Sequence, residues 1–539
     1  MGSRVLGLVR EIVMVSYLGL GTDMGAFTVA TKVPNLVRTL LADTALSAAF
    51  IPVFSGLLEK KHRREAWQLA YTVTVMATII LGIVTVLGMV FGKGVVSLVA
   101  PGFSKDPQVV ALTVHLMRIQ FPTVVIMGIA GVLMGILNSY DHFSLPALSQ
   151  IVWNLVIIGG VVAFSSRYGI AALSWGFLVG TVIQLLMQVP AVWVRRWKRG
   201  RTAVATGVGP PGYSLYEAGR FSPWHLDLKN PDVRRVALLI GPVILSLGVI
   251  NFNAFIDTIV GSLISIPAPA YIDKAFRLFQ LPQGVFAIAI GTVLFPAFSR
   301  HAAAGRMKEL REDLSTGLRQ IFFTTLPFAA FFAVLALPTV RLIYEHGKVT
   351  PGEAEAVASA LTFFSVGMAF VSVNTLLNRA FYSIQKPWLP LITGIVNLAL
   401  NAGLDLAFYK PLGVGGITLS TSLVSLFNFF ALAFLLAPRI GGIDAKRVAW
   451  SAVRSVLALL PLAAASYFLW RTLDHVLGRA LWAQVISVGL AYVAGGLAYL
   501  LAAWAMRMPE ITELVQVVVR RRRRQRPDPQ EATIDRTEG

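Results

Sequence analysis

Apolar runs of about twenty residues recur along the whole chain, separated by short polar stretches. A helix needs about 20 apolar residues to cross the hydrocarbon core of a bilayer, so each run is long enough to span it. The runs do not alternate polar and apolar positions, which excludes the strands of a transmembrane β-barrel. The pattern predicts about fourteen helical spans, near residues 3–20, 25–55, 68–92, 108–137, 144–164, 169–193, 235–263, 270–298, 317–343, 354–380, 388–409, 413–437, 448–471 and 480–506. Several exceed the minimum length and are therefore tilted or extend into water. The expected fold class is an all-α polytopic membrane protein.

Composition supports this reading. Of the 539 residues 56% are hydrophobic, and the 46 glycines bring the apolar share to about 65%, against about 45–50% in soluble domains. Only 14% are charged. There is no cysteine, which removes disulfides, thiolate metal sites and cysteine nucleophiles. The net charge of +20 would suggest nucleic acid in a soluble protein. Here its distribution argues for topology and no nucleic-acid partner. Basic clusters follow spans two (Lys60, Lys61, Arg63, Arg64), six (Arg195, Arg196, Lys198), eight (Arg300, Arg306, Lys308), twelve (Arg439, Lys446, Arg447) and fourteen (Arg520 to Arg524). The alternate loops, around Gly21-Thr22-Asp23, Pro101 to Asp106, Ser166 to Tyr168 and Ser265 to Pro269, are nearly free of Lys and Arg. The positive-inside rule then puts both termini in the cytoplasm. Arg4 and Arg10 interrupt the first apolar stretch, so no cleavable signal peptide is expected. Arg520 to Arg524 would also attract anionic membrane lipids, at about 1 kcal/mol per residue near the surface.

An internal repeat spans the first two-thirds of the chain at an offset of about 244. Phe50-Ile51-Pro52-Val53-Phe54-Ser55 matches Leu294-Phe295-Pro296-Ala297-Phe298-Ser299 in pattern, Val96 to Val99 matches Val340 to Ile343, Leu137-Asn138 matches Leu377-Asn378, and Trp153-Asn154-Leu155 matches Val396-Asn397-Leu398. Each repeat holds an even six spans, so both enter the membrane from the same side, as in transporters with parallel repeats. The expected organisation is a first lobe at 1–193, a Gly- and Pro-rich cytoplasmic linker at 194–233, a second lobe at 234–437, two extra spans at 438–508 and a basic, disordered tail at 509–539.

Charged residues stand inside the spans that open each lobe: Arg4, Arg10, Lys32, Arg38 and Asp43 in the first, Asp273, Lys274 and Arg277 in the second. A charge at the centre of a lone membrane helix costs about 2.5–3.5 kcal/mol on the insertion scale. Arg10, Arg38 and Arg277 must therefore face water, a counter-charge or an anionic ligand. Pairing of Arg38 with Asp43, or of Arg277 with Asp273, is one solution. The other is a cationic cavity between the lobes for an anionic substrate, since the arginine fork suits phosphate. A second polar group lies further along. Asn397, Asn401 and Asp405 recur every four residues on one helix face, Asn253 and Asp257 repeat the spacing, and Thr418 and Thr421 follow. These oxygens suit a hard cation or a proton, or else they are interhelical glue worth about 0.6 kcal/mol on average. No Walker sequence and no H-E-x-x-H is present, so a transporter is expected rather than an enzyme.

The segment Ser3-Arg4-Val5-Leu6-Gly7-Leu8-Val9-Arg10-Glu11, with Thr22-Asp23, Pro34-Asn35-Leu36-Val37-Arg38, Ala49-Phe50-Ile51-Pro52, Ala100-Pro101-Gly102-Phe103 and Arg277-Leu278-Phe279-Gln280-Leu281-Pro282-Gln283-Gly284-Val285, closely resembles the MurJ (MviN) family of the multidrug/oligosaccharidyl-lipid/polysaccharide exporter superfamily. The resemblance implies fourteen helices, two lobes and a cationic cavity that opens alternately to either side. It implies flipping of lipid II, the undecaprenyl-diphosphate-linked disaccharide-pentapeptide, across a bacterial cytoplasmic membrane, with the cell-wall synthesis machinery as a candidate partner. Arg4, Arg10, Asn35, Arg38 and Arg277 fall at positions that line the family's cavity. Asp257, Asn401, Asp405 and Thr421 fit the pattern of its sodium-binding members, so Na+ is the one candidate cofactor. The last two spans would form a groove for the lipid tail. Thr39 stands where many relatives carry a second arginine, and Asp23 is displaced by a small insertion, Met24-Gly25.

Competing readings are a flippase for another undecaprenyl-diphosphate-linked oligosaccharide, or a multidrug or organic-cation antiporter of the same superfamily. An antiporter would need an acidic or aromatic cavity. A glycosyltransferase would need catalytic acids or bases in large outer loops, which are short here. A scaffold for cell-wall enzymes would leave the buried arginines unexplained.

Overall fold

The computed structural model describes residues 2–140, 142–193, 227 and 230–511, and these are helical almost throughout. The expected linker and basic tail lie largely outside them. The side chains of Arg4 and Asp43 also lie outside the described set. The first repeat comprises α1 (Gly2–Leu18), α2 (Thr22–Val37), α3 (Thr44–Glu59), α4 (Arg63–Val90), α5 (Gly92–Val99), α6 (Pro107–Gln120), α7 (Pro122–Ser139), α8 (Ser144–Tyr168) and α9 (Ala171–Trp193). The second comprises α10 (Pro231–Ile264), α11 (Ala268–Ala303), α12 (Met307–Val334), α13 (Ala336–Tyr344), α14 (Pro351–Ser383), α15 (Trp388–Leu412) and α16 (Val414–Leu436). Two further helices follow, α17 (Ala445–Leu477) and α18 (Leu481–Ala505).

Eleven helical stretches among the described residues are long and apolar enough to cross a membrane. The three other expected spans coincide with α1, with α2 and α3 together, and with α10. Some boundaries differ from the sequence reading. Ser166 to Tyr168 are helical, and the turn falls at Gly169, whose φ of +53° suits a residue without a side chain. The expected fourth span is broken after Phe121, where Pro122 opens α7 and has no N–H to continue the ladder.

The repeat recurs in the helix boundaries themselves. α4 and α12 run from 63 to 90 and from 307 to 334, α8 and α15 from 144 to 168 and from 388 to 412, each pair displaced by 244 residues. The helix starts repeat chemically as well. Asp106 caps α6, its side chain accepting from the backbone N–H of Gln108 and Val109, with Pro107 in the first turn. At the matching place, Thr350 and Glu353 form a reciprocal capping box before α14, with Pro351 in the first turn. α5 and α13, the short helices before these caps, also correspond. Periodicity at the scale of whole spans does not resolve helices of eight or nine residues.

Packing gathers the chain into two compact units. The first is Met1–Asp273 with Ile343–Ala356 and Asn401–Ile417; the second is Lys274–Leu342 with Val357–Leu400 and Thr418–Gly539. The division does not follow the sequence repeat, because parts of the second repeat pack against the first. In the first unit, Phe50, Phe54, Trp67, Ile136 and Val236 form a core joining α3, α4, α7 and the start of α10. Three of the loops expected to share one side are also brought into contact here. Gly102 lies so close to α10 that a Cβ would collide with the Ser262 carbonyl, and its N–H donates to Ser262 Oγ at 3.2 Å. A Cβ on Gly25 would strike the Ile266 carbonyl. Gly347, at φ +63°, packs against the Ser16 carbonyl, which accepts the Lys348 N–H at 2.9 Å.

In the second unit, Phe298, Leu314, Ile321, Phe381 and Leu432 form one core, and Phe323, Phe331, Leu462, Ala491 and Tyr499 join α12 to the α17–α18 pair. An ion pair with a buried carboxylate fastens the same contact. Arg319 on α12 donates to Glu510 at 2.9 Å, and Ser451 on α17 donates to the same carboxylate oxygen at 2.7 Å. Glu510 is fully buried, and losing its carboxylate removes the Arg319 ion pair and the Ser451 hydrogen bond together, at about 3 kcal/mol. Glu510→Ala is expected to lower the unfolding midpoint by several degrees in a thermal-shift assay. Glu312→Ala, which removes an acid from the exposed start of α12, should leave the midpoint unchanged.

Candidate functional site

The charged residues of the opening spans meet different environments. Arg10 on α1 is buried, and its guanidinium forms a 2.7 Å ion pair with Glu11. The same group lies 4.8 Å from the ring centre of Trp153 and 5.5 Å from that of Phe177. Cation–π contacts of this kind gain strength where water is excluded. The Trp153 indole N–H donates to the Thr181 hydroxyl at 3.3 Å, and Gly180 leaves room for the ring. Arg10 Nε is buried without a hydrogen-bond partner. Neither Glu11 nor Trp153 was legible as a partner, because adjacent residues on a helix do not face each other and an aromatic on another helix carries no spacing signal.

Arg38 is half-buried and opens a six-residue π-helical stretch, Arg38–Asp43, that joins α2 to α3. Such wide turns interrupt the regular ladder and occur often at functional sites. This one packs against α7 and α10. Lys32, Asn35 and Arg38 follow at three-residue intervals and so share one face of the helix. Asn35 is exposed, and Lys32 Nζ lies 3.8 Å from Asp273. The Asp273 carboxylate thus meets a base of the first repeat, where sequence spacing had offered Arg277. Arg277 on α11 belongs to the second unit and is exposed.

The structure brings Asp257, Asn401 and Asp405 together in the first unit, all buried. The Asn401 amide donates to Asp257 at 2.8 Å and to Asp405 at 3.1 Å. Its own Oδ1 is buried with no hydrogen-bond partner. Two carboxylates thus share one amide, beside an oxygen free to accept. Asn397 and Asn253 continue the two polar stripes and are partly buried. Thr421 on α16 belongs to the second unit, where its carbonyl accepts the Ser425 hydroxyl. Among the described residues no cluster of three or more His, Cys, Asp or Glu could hold a metal ion; two carboxylates and an amide oxygen give this group hard anionic and neutral donors.

A duplicated series of membrane helices with Arg10, Asp257 and Asp405 buried among them has the intramembrane charges that mark substrate and ion pathways in membrane carriers. A sequence profile described as "Lipid II flippase MurJ" matches residues 14–486. The chain belongs to the MurJ family. A Buchnera aphidicola protein named "Probable lipid II flippase MurJ" is 29% identical over 441 residues, 81% of this chain and 81% of its own. A solved structure of lipid II flippase MurJ in an inward closed conformation superposes with a TM-score of 0.75 at 21% identity, covering 94% of this chain and 98% of that one. An inward-facing multidrug resistance MATE family transporter of the MOP superfamily superposes at 0.68 with 15% identity, covering 81% and 94%. These likenesses show the fold of the superfamily, and the chain is a multi-pass protein of the bacterial inner membrane.

Proposed function

We propose that the protein flips lipid II, the undecaprenyl-diphosphate-linked disaccharide-pentapeptide, from the cytoplasmic to the outer leaflet by alternating access. The observation that carries this reading is the family match over residues 14–486, nearly the whole membrane-embedded chain. The charge of the opening spans agrees with it. Arg10, Arg38 and Arg277, with Arg4 and Asn35 beside them in sequence, supply guanidinium forks suited to a diphosphate. An organic-cation carrier would place acids there. The termini are cytoplasmic in this reading, and the loops joined through Gly25, Gly102 and Gly347 close the opposite, outer end. In this reading α17 and α18, which lie outside the repeat, form the lipid-tail groove, and the cell-wall synthesis machinery is the partner that consumes the flipped precursor. Depletion of the protein should make the disaccharide-pentapeptide lipid accumulate on the cytoplasmic face. Accumulation of a different lipid-linked glycan would assign the rival oligosaccharide reading instead.

No nucleotide-binding motif supplies a driving force, and an ion gradient is the natural alternative. The buried Asn401 Oδ1 and two carboxylates fit a hard monovalent cation. Asp257, Asn401 and Asp405 would hold Na+. Bound there, Na+ would neutralise like charges that otherwise repel. A gradient biases the cycle only if binding favours one cavity state over the other. Na+ at fixed ionic strength is therefore expected to raise the thermal midpoint of the purified protein and to have no such effect on Asp405→Asn. Equal stabilisation of both proteins by Na+ and K+ would leave the group as interhelical glue.

A further inference from the structure

We infer that Trp153 is a positioning residue that holds Arg10 for the substrate diphosphate, as an aromatic shelf locked in place by Phe177, Gly180 and Thr181. The inference rests on the flippase reading, in which Arg10 is one of the guanidinium forks that meet the diphosphate. Arg10 comes from α1, Trp153 from α8 and the three locking residues from α9, all in the first unit. The shelf supports the guanidinium through its face, with the centre of the Trp153 ring at 4.8 Å and that of Phe177 at 5.5 Å. The five N–H donors of a guanidinium lie in its plane. A ring against its face therefore stabilises the charge without using a donor. Glu11 takes one donor, at Nη2, and Nε is buried with no hydrogen-bond partner. A buried donor left unmatched calls for an explanation, and a fork kept for a ligand supplies one. A second carboxylate in place of Trp153 would also stabilise the charge, but it would occupy the fork that a phosphate needs.

The ring has little freedom of its own. Its indole N–H donates to the Thr181 hydroxyl at 3.3 Å, and that hydroxyl donates onward to the Phe177 carbonyl at 2.7 Å. The Phe177 ring meets Trp153 edge to face, with centres 5.2 Å apart and planes at 82°, and is itself braced by Phe27 of α2 at 5.7 Å. A Cβ on Gly180 would stand 3.0 Å from Trp153 Cδ1 and 3.3 Å from the Trp153 carbonyl oxygen. Glycine at 180 thus leaves the space in which the indole lies, and Thr181 fixes its tilt.

The duplication supplies an independent argument. α8 and α9 correspond to α15 and α16 at displacements of 244 and 243 residues. Trp153 corresponds to Val396, Phe177 to Ser420 or Thr421, and Gly180 to Leu423 or Val424. α10, the counterpart of α1, carries no base after Arg235. Arginine and shelf therefore occur together in one repeat and are missing together from the other. The α15–α16 pair is built without a tryptophan at this place, so helix pairing does not require one. The feature that Trp153 accompanies is the arginine.

The test is the initial rate of labelled lipid II translocation in proteoliposomes, measured against lipid II content. Trp153→Leu should raise the half-saturating content about tenfold, within what a partly desolvated cation–π contact supplies, with a maximal rate near that of the parent. A protein that is merely destabilised would instead lose maximal rate at unchanged half-saturation, because fewer molecules would be active. Trp153→Phe keeps a ring and should recover most of the loss. Thr181→Val frees the indole and should raise half-saturation severalfold, yet add nothing in a Trp153→Leu background, since it acts through that ring. Trp175 is exposed on α9, and Trp175→Leu should match the parent. Parent half-saturation in Trp153→Leu and Thr181→Val, beside an impaired Arg10→Ala, Glu11→Gln double variant, would overturn the shelf and leave the flippase reading intact. So would a Trp153→Phe protein no better than Trp153→Leu. Parent behaviour of the double variant would remove Arg10 from the diphosphate, and this inference with it. Absence of translocation by the parent protein would overturn the flippase reading itself.

Discussion

Arg38→Ala is expected to abolish flipping while the protein still folds and inserts. Arg38 is half-buried at the π-helical stretch. A charge-assisted hydrogen bond is worth about 1.5–3 kcal/mol, and a fork makes two. The loss of diphosphate binding should therefore exceed about a hundredfold. Arg38→Lys should recover only part of it, because a point charge lacks the bidentate geometry. Arg277, exposed on α11, should behave the same way. Arg10 should not, since its ion pair with Glu11 is buried. Arg10→Ala should lose stability as well as flipping, and adding Glu11→Gln should restore the stability alone. Translocation of labelled lipid II, measured beside thermal midpoints, separates the two effects. Full activity in Arg38→Ala would remove that residue from the site.

The second large effect is expected at Gly102. A Cβ there meets the Ser262 backbone carbonyl rather than the end of a flexible side chain, so closing the contact requires the backbone to move. Gly102→Val should stop transport by keeping this end of the first unit from closing. Gly94→Val is the control, because a Cβ at Gly94 meets nothing within 4 Å. The crosslink between cysteines at Ser16 and Lys348 reports closure. It should form readily in the parent and with Gly94→Val, and poorly with Gly102→Val. Once formed, it should itself arrest transport. A freely crosslinking, active Gly102→Val protein would mean that this contact plays no part in the cycle.

The helices were legible because a membrane span is written in composition: length and apolarity fix it without knowledge of its neighbours. The repeat was legible for a similar reason, and the helix boundaries of α4, α8, α12 and α15 carry the same offset. The stripe of Asn401 and Asp405 was legible from four-residue spacing, and so was that of Asn253 and Asp257, whereas the grouping of Asp257 with Asn401 and Asp405 was implied by the family resemblance. Partners between helices were not. Lys32 meets Asp273 across 241 positions, and nothing in local spacing prefers that acid to Asp43. Glu11 escaped because helical geometry argues against neighbours in sequence, and Arg319 with Glu510 because the pair lies at span ends where charges attract no notice. The glycine contacts depend on the approach of two backbones, which leaves no pattern beyond the glycines themselves.

The most direct test of the central claim is translocation of fluorescent lipid II by the purified protein in proteoliposomes. The account predicts transfer well above that of protein-free vesicles, abolished by Arg38→Ala and by Arg277→Ala in proteins of unchanged thermal midpoint. Transfer no faster than in protein-free vesicles, or equal in the parent and both arginine variants, would contradict it.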